Sequence, residues 1–203
     1  MSDCSCDTAL RARRGVTFSR QWRYATDPLV YKAVAAVLSP TPLTLTVIAH
    51  GVINGQSVAL VELGGLDSVN ARNSPPKGTD FHAASVDDVD TLHFNDIDAA
   101  SGGQVYESGG KIAYYTLVDL STITGVQFKV YGVSDPTTVI ATFNTTLDNT
   151  AKTISLSIAP SDLANLTSDD YTFTLVATFG SGDVKALAFG TFTLIAAGSP
   201  DAA

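Results

Sequence analysis

Cysteine, methionine and tryptophan are almost missing from this 203-residue chain, which holds two, one and one of them. Cys4 and Cys6 stand two residues apart near the start, too close to clip a fold together and too few for a disulfide framework or a zinc ligand set. They read as two thiols in a polar leader. No apolar run approaches a membrane span, and the first twenty residues lack the apolar core of a secretory signal, so synthesis in a reducing cytoplasm is expected. There is no G-x-S-x-G elbow, no glycine-rich phosphate loop and no cysteine in a core element. An enzyme is not expected, and no cofactor is implied.

Charge is also scarce, at 16% of residues against 45% hydrophobic, the balance of a folded chain rather than a disordered one. The net charge of −8 is uneven: residues 1–34 hold six Lys/Arg and three Asp/Glu, whereas residues 35–203 hold six and seventeen. An acidic body lacks the basic face that nucleic-acid backbones require. Lys and Glu are few, while Thr, Val, Ser and Gly are plentiful, which favours strands.

Strand periodicity is clearest in the C-terminal half. Val126, Phe128 and Val130 alternate with polar neighbours, as do Ile154, Leu156 and Ile158, and then Tyr171, Phe173, Leu175, Ala177 and Phe179. A period of two sends one set to a core and the other to solvent. Gly180-Ser181-Gly182-Asp183 reads as a hairpin turn into Val184–Ile195, and Pro160 to Leu166 as one capped helical turn. The expected fold is all-β, an antiparallel sandwich.

Earlier in the chain, residues 1–14 read as a basic arm ending in Arg11, Arg13 and Arg14, either frayed or ordered only against a partner. From Gly15 a strand is expected, with Val16, Phe18, Trp22 and Tyr24 on one face and Arg20 interrupting that set. Trp22 reads as a core residue or as an anchor at a protein–protein contact. Asp27-Pro28 is expected to end the strand, and Leu29–Leu38 to form another. Strands are expected over Leu43–Ala49, Ser57–Leu63, Phe81–Val86 and Leu92–Ile97, with a surface loop over Asn70–Gly78.

Two sets of residues resemble known modules. His50-Gly51 with Asn54-Gly55, Gly64-Gly65-Leu66, Leu92-His93-Phe94 and Tyr106 to Gly110 resemble a small β-barrel module, over about residues 40–112. That module is named for the first catalytic-cysteine half-domain of ubiquitin-activating enzymes and recurs in tailed-phage structural proteins. Residues 40–112 contain no cysteine, and ubiquitin chemistry is not implied. Arg14-Gly15-Val16-Thr17-Phe18, Leu117-Val118-Asp119-Leu120, Val126 to Val130, Asp170-Tyr171 and Gly190-Thr191-Phe192-Thr193 resemble Ig-like domains of phage baseplate, tail-fibre and head accessory proteins. Val16 stands where that family carries an acidic residue.

The motif order implies an N-terminal arm (1–14), a first sandwich strand and linker (15–34), an inserted barrel-like module (35–112), an Ig-like sandwich (113–196) and a tail (197–203). Trp22 should then touch the C-terminal sandwich, and pairing of Gly15–Tyr24 with Leu43–Leu63 alone would contradict the insertion.

His82 and His93 lie on neighbouring expected strands and, with Asp80 or Asp90, make a conceivable metal set. Asp87, Asp88, Asp90, Asp96 and Asp98 have the density of a calcium loop without its spacing or glycine, and read as a solvated turn. Asn144-Thr145-Thr146 and Asn165-Leu166-Thr167 match a glycosylation sequon by chance. The resemblance implies a virion subunit that assembles through other phage structural proteins and copies of itself, without nucleic acid or membrane. The expected place is the head–tail junction, tail or baseplate, as an accessory that anchors fibres. A capsid decoration protein or head fibre is the alternative. The interface candidates are Arg11, Arg13, Arg14, Arg20, Trp22 and Arg23. A host-surface carbohydrate or receptor module is a further alternative, with Tyr106, Tyr114, Tyr115 and Tyr131 as its aromatic candidates.

Overall fold

The computed structural model describes residues 7–197; Cys4, Cys6 and the tail beyond Ala197 lie outside the described residues. In chain order the strands are β1 (Asp7–Arg13), β2 (Phe18–Trp22), β3 (Ala25–Ala33), β4 (Ala36–Pro40), β5 (Leu43–Thr46), β6 (Gln56–Val61) and β7 (Phe81–Val86). They continue with β8 (Thr91–Phe94), β9 (Lys111–Leu117), β10 (Ile123–Gly132), β11 (Val139–Asp148), β12 (Thr153–Ile158), β13 (Asp170–Phe179) and β14 (Val184–Ile195). One short helix, α1 (Pro160–Ala164), opens on a proline at its first turn, where no backbone donor is lost. The fold is all-β. Its contacts divide it into two compact units, one running up to Tyr24 and resuming at Leu117, the other Ala25–Thr116.

The first unit is a sandwich. Its hydrogen-bonded order is β1-β14-β13-β10-β11-β12-β2. β11 belongs to both layers: its residues up to Asn144 pair with β10, and Thr145–Asp148 pair with β12. Alternation sets the inward faces. Val126, Phe128 and Val130 lie opposite Ala177, Leu175 and Phe173, and all six are buried. The other layer answers with Ile154, Leu156 and Ile158. Phe18 meets Phe192 edge-on at 5.6 Å, and Trp22 stacks on Phe128, so β2 closes over the opposing layer. Each such buried side chain contributes about 1.5–3 kcal/mol.

β2 pairs antiparallel with β12, from Phe18 opposite Ile158 to Trp22 opposite Ile154, and not with Leu43–Leu63. It starts at Phe18 rather than Gly15, and Val16 is exposed. The arm reading fails from Asp7 onward. β1 runs parallel to β14, with Leu10 opposite Phe192, and Leu10 and Ala12 are buried in the sandwich core. Two apolar residues at alternate positions suffice to seat a short edge strand once β14 offers free backbone groups. The sandwich is therefore antiparallel except at this edge.

The second unit is a nearly closed barrel, ordered β3-β9-β6-β7-β8-β5-β4. Its seam is made by one continuous stretch of chain. Val34 N–H donates to Gly110 O at 3.0 Å, the next amide, Ala35, donates to Thr46 O at 2.8 Å, and β3 and β4 so bracket the sheet from its two ends. Leu29–Leu38 is accordingly extended but split between two strands. Asp27-Pro28 does not end a strand; it lies inside β3, an edge position where a missing donor is tolerated. Leu43, Leu45, Val58, Leu60, Leu92, Phe94 and Ile112 fill the interior. The unit begins at Ala25 and ends at Thr116, wider than the 35–112 module, because β3 and β9 pair with each other at its margin.

Candidate protein–protein interface

Parity on β1 and β2 decides where the basic residues go. Leu10 and Ala12 face the core, so Arg11 is exposed and Arg13 half-buried on the outer side of β1. β1 ascends beside β14, residues 14–17 cross from one layer to the other, and β2 descends beside β12. Both are end strands of the sandwich, on the side opposite the shared strand β11. On β2, Phe18, Arg20 and Trp22 share the core-facing parity, opposite Ile158, Leu156 and Ile154. Arg20 is nevertheless exposed, a charge in an inward register at an end strand. Such a residue opposes edge-to-edge strand addition, because a new strand would have to bury it.

The six interface candidates thus fall into different roles. Arg14 is a structural clamp: Nη1 donates to Leu166 O at 2.6 Å and Nη2 to Ser168 O at 2.7 Å, with Asp169 Oδ1 at 3.4 Å. It holds the chain between α1 and β13 against the end of β1. Trp22 is a core residue, half-buried against Phe128, and its buried Nε1 has no hydrogen-bond partner among the described residues. Arg23 is exposed and donates Nε to Ala151 O at 3.3 Å. Arg11 and Arg20 present their guanidinium groups to solvent.

The histidines do not converge. Ser85 pairs with His93 and Val86 with Leu92, a register that puts His82 opposite Asp96 and turns His82 and His93 to opposite faces. His82 Nδ1 lies 2.7 Å from Asp96 Oδ2, and His93 Nδ1 lies 2.9 Å from Asp87 Oδ2. Asp80 and Asp90 are engaged elsewhere. Asp80 accepts from the Arg72, Asn73 and Lys77 amides and from Asn73 Nδ2, and these bonds, the Lys77 amide foremost, lower its pKa from 3.8 to about 2. Asp90 Oδ1 accepts from Ala49 N at 2.7 Å. Asp88 Oδ1 accepts from Asp90 N at 2.8 Å, which lowers its pKa, and Asp98 accepts from Thr41 and Ala100. Among the described residues no group of three His, Cys, Asp or Glu is placed to hold a metal ion.

His50 is the exception in burial, 2% exposed. Nδ1 receives the Val52 N–H at 3.0 Å and Nε2 lies 2.9 Å from Asp88 O. An amide can only donate and a carbonyl only accept, so the ring is the neutral Nε2–H tautomer. It ties the His50-Gly51 turn to the acidic turn after β7.

The tyrosines serve separately. Tyr106 donates to Gly109 O at 2.9 Å, Tyr114 donates to His50 O with its pKa pushed up by burial, and Tyr115 stacks on Phe81 at 5.9 Å. Tyr131 lies in the sandwich, opposite Val139.

Two surfaces escape a reading of the sequence. Between Val130 and Tyr131 the β10–β11 register shifts, so that Val139 pairs with Tyr131 and Ala141 with Val130, leaving Ile140 as an extra residue. Val139 and Ile140 are both exposed as a result, and so is Val133 in the turn of the same hairpin. The second surface is the outer face of β2, β12 and β11. Its cross-strand rows are Ser19 and Ser157, then Gln21, Ser155 and Thr146, then Thr153 and Asp148, polar at every position with Thr153 buried. An open groove of about 540 Å³ lies over the last two rows. No protein-family model matches the chain, and no curated protein matches it.

Proposed function

We propose that this chain is a structural subunit of a tailed-phage virion, acting by assembly as a head–tail, tail or baseplate accessory that anchors fibres. The observation that carries the reading is the β1–β2 margin of the sandwich, where exposed Arg11 and Arg20 flank a crossing loop with exposed Val16. This is a surface suited to contact rather than to chemistry. The Ig-like and barrel-module resemblances of residues 14–18, 117–193 and 40–112 supply the virion context, and a decoration or head-fibre subunit would use the same margin on a shell. Compact β-units with short connections suit a subunit held in a symmetric array.

Immunogold electron microscopy of purified particles tests it. Label at the neck, tail or baseplate supports the accessory reading, and label over the head makes the chain a decoration protein. Particles without label, intact or opened, would overturn the virion reading. The polar groove on β2, β12 and β11 favours a second reading, saccharide recognition at a host surface, since hydroxyl, amide and charged side chains line it. Binding on a glycan array that is lost in an Arg23→Ala variant would favour that alternative.

A further inference from the structure

The chain carries two complementary surfaces of unlike charge. Residues 11–23 contain five arginines and no acidic residue; Arg14 is held by the Leu166 and Ser168 carbonyls, while Arg11 and Arg20 are exposed on the two end strands, β1 and β2, that meet at the crossing. Residues 25–116 contain four Lys/Arg and ten Asp/Glu, a net charge of −6 on the barrel. Each surface has an exposed valine among its charges. Val16, 53% exposed, sits in the crossing between the strands that carry exposed Arg11 and Arg20. Val89, 69% exposed, sits at the tip of the β7–β8 turn between Asp87, Asp88 and Asp90. An apolar centre with a charged rim is the composition of a protein contact.

The tip is also pre-organised. Asp87 and Asp88 amides both donate to Thr91 O, Asp88 Oδ1 caps Asp90 N, Asp90 Oδ1 holds Ala49 N, and His50 Nε2 holds Asp88 O. Little ordering remains to be done on binding. Arg20, in its inward register, opposes a main-chain ladder at β2, so contact there runs through guanidinium groups and carboxylates instead.

We infer that copies of this chain dock head to tail, the Val89 tip of one barrel seated on the Arg11–Arg20 margin of the next copy's sandwich. The inference rests on the assembly reading above and names its partner as a second copy. Because the two surfaces differ, the contact is heterologous: it closes into a ring or extends as a filament.

Sedimentation velocity of the full chain tests this with two variants at exposed sites, Arg20→Glu and Val89→Arg. The wild type should associate at ~0.02 M salt and dissociate at ~0.5 M, where exposed charges are screened. Each variant alone should be monomeric, with association weakened about tenfold or more. Mixed in equal amounts, they should form a heterodimer that grows no further, since each brings one intact and one blocked surface. Circular dichroism of each variant checks its fold. Wild-type monomer at both salt concentrations, or variants that still assemble like the wild type, would overturn the inference. If the wild type is monomeric yet particles label, self-docking fails and the virion reading stands. If it docks as stated and no particle labels, the reverse holds.

Discussion

Trp22 lies against Phe128 with ring centroids 6.3 Å apart and planes inclined by 29°. The pair joins β2 to the opposing layer of the sandwich, while the indole Nε1 is buried without a hydrogen-bond partner among the described residues. Area burial is therefore what Trp22 contributes, and its polar atom contributes a cost. Trp22→Ala should destabilise the sandwich by about 3–5 kcal/mol, whereas Trp22→Phe, which keeps a ring and removes the unpaired donor, should cost under ~1.5 kcal/mol. Urea unfolding followed by circular dichroism reads both; equal losses would show that the indole nitrogen is satisfied after all.

Gly65 and Gly15 share a left-handed backbone, with φ of +80° and +82°, but not their surroundings. A Cβ on Gly65 would lie 2.0 Å from Val105 O and 2.9 Å from Glu107 Cγ, whereas one on Gly15 would meet none of the described residues within 4 Å. Gly15→Ala should thus cost only the conformational penalty, about 1–2 kcal/mol, and leave the fold intact. Gly65→Ala must push strand-flanking backbone aside and should unfold the barrel or cost several-fold more. Thermal melts of the two variants separate these outcomes, and similar melting temperatures would contradict the close packing at Gly65.

What could be read from the sequence followed from regular alternation. The runs at Val126–Val130, Ile154–Ile158 and Tyr171–Phe179 obey a period of two, and each is a strand with that face buried. β11 was not legible, because its register shift places Val139 and Ile140 in succession on the surface and hides the alternation. β1 was masked by arginines at the outward positions, which resemble a disordered basic arm until β14 is there to pair with. Arg20 was visible as a break in an apolar set, and the structure gives that break a position at an end strand. Arg14 could not be distinguished from its neighbours, since its acceptors lie some 150 residues further along, at Leu166 and Ser168.

Acid should loosen the loop before β7. Asp80 is 7% exposed and accepts four hydrogen bonds from Arg72, Asn73 and Lys77, which favour its ionised form and depress its pKa from 3.8 to about 2. A depressed folded-state pKa gives stability that is present above the unfolded value and lost as pH falls. The barrel should therefore weaken between about pH 4 and pH 2. Asp119 and Asp135 in the sandwich, also lowered to about 2, make that unit weaken in the same range. Asp80→Asn should lower the urea midpoint at neutral pH and flatten the acid dependence without abolishing it. A carboxyl-carbon titration placing Asp80 near 4 would refute the argument.

His50 offers the most specific check on the polar interior of the barrel. Its Nδ1 meets the Val52 amide at 3.0 Å and its Nε2 the Asp88 carbonyl at 2.9 Å, so long-range proton–nitrogen spectra should show Nδ1 unprotonated and Nε2 carrying the hydrogen. His50→Ala removes both bonds and leaves the buried Val52 donor and the part-buried Asp88 carbonyl without this partner, a loss of about 1–3 kcal/mol. The Asp88 carbonyl belongs to the turn that bears Val89, so this variant should also loosen that tip. Faster amide exchange at Asp88, Val89 and Asp90, under conditions where the barrel remains folded, would register it. Unchanged exchange at those three amides, together with the opposite tautomer, would mean that the imidazole does not couple the two turns.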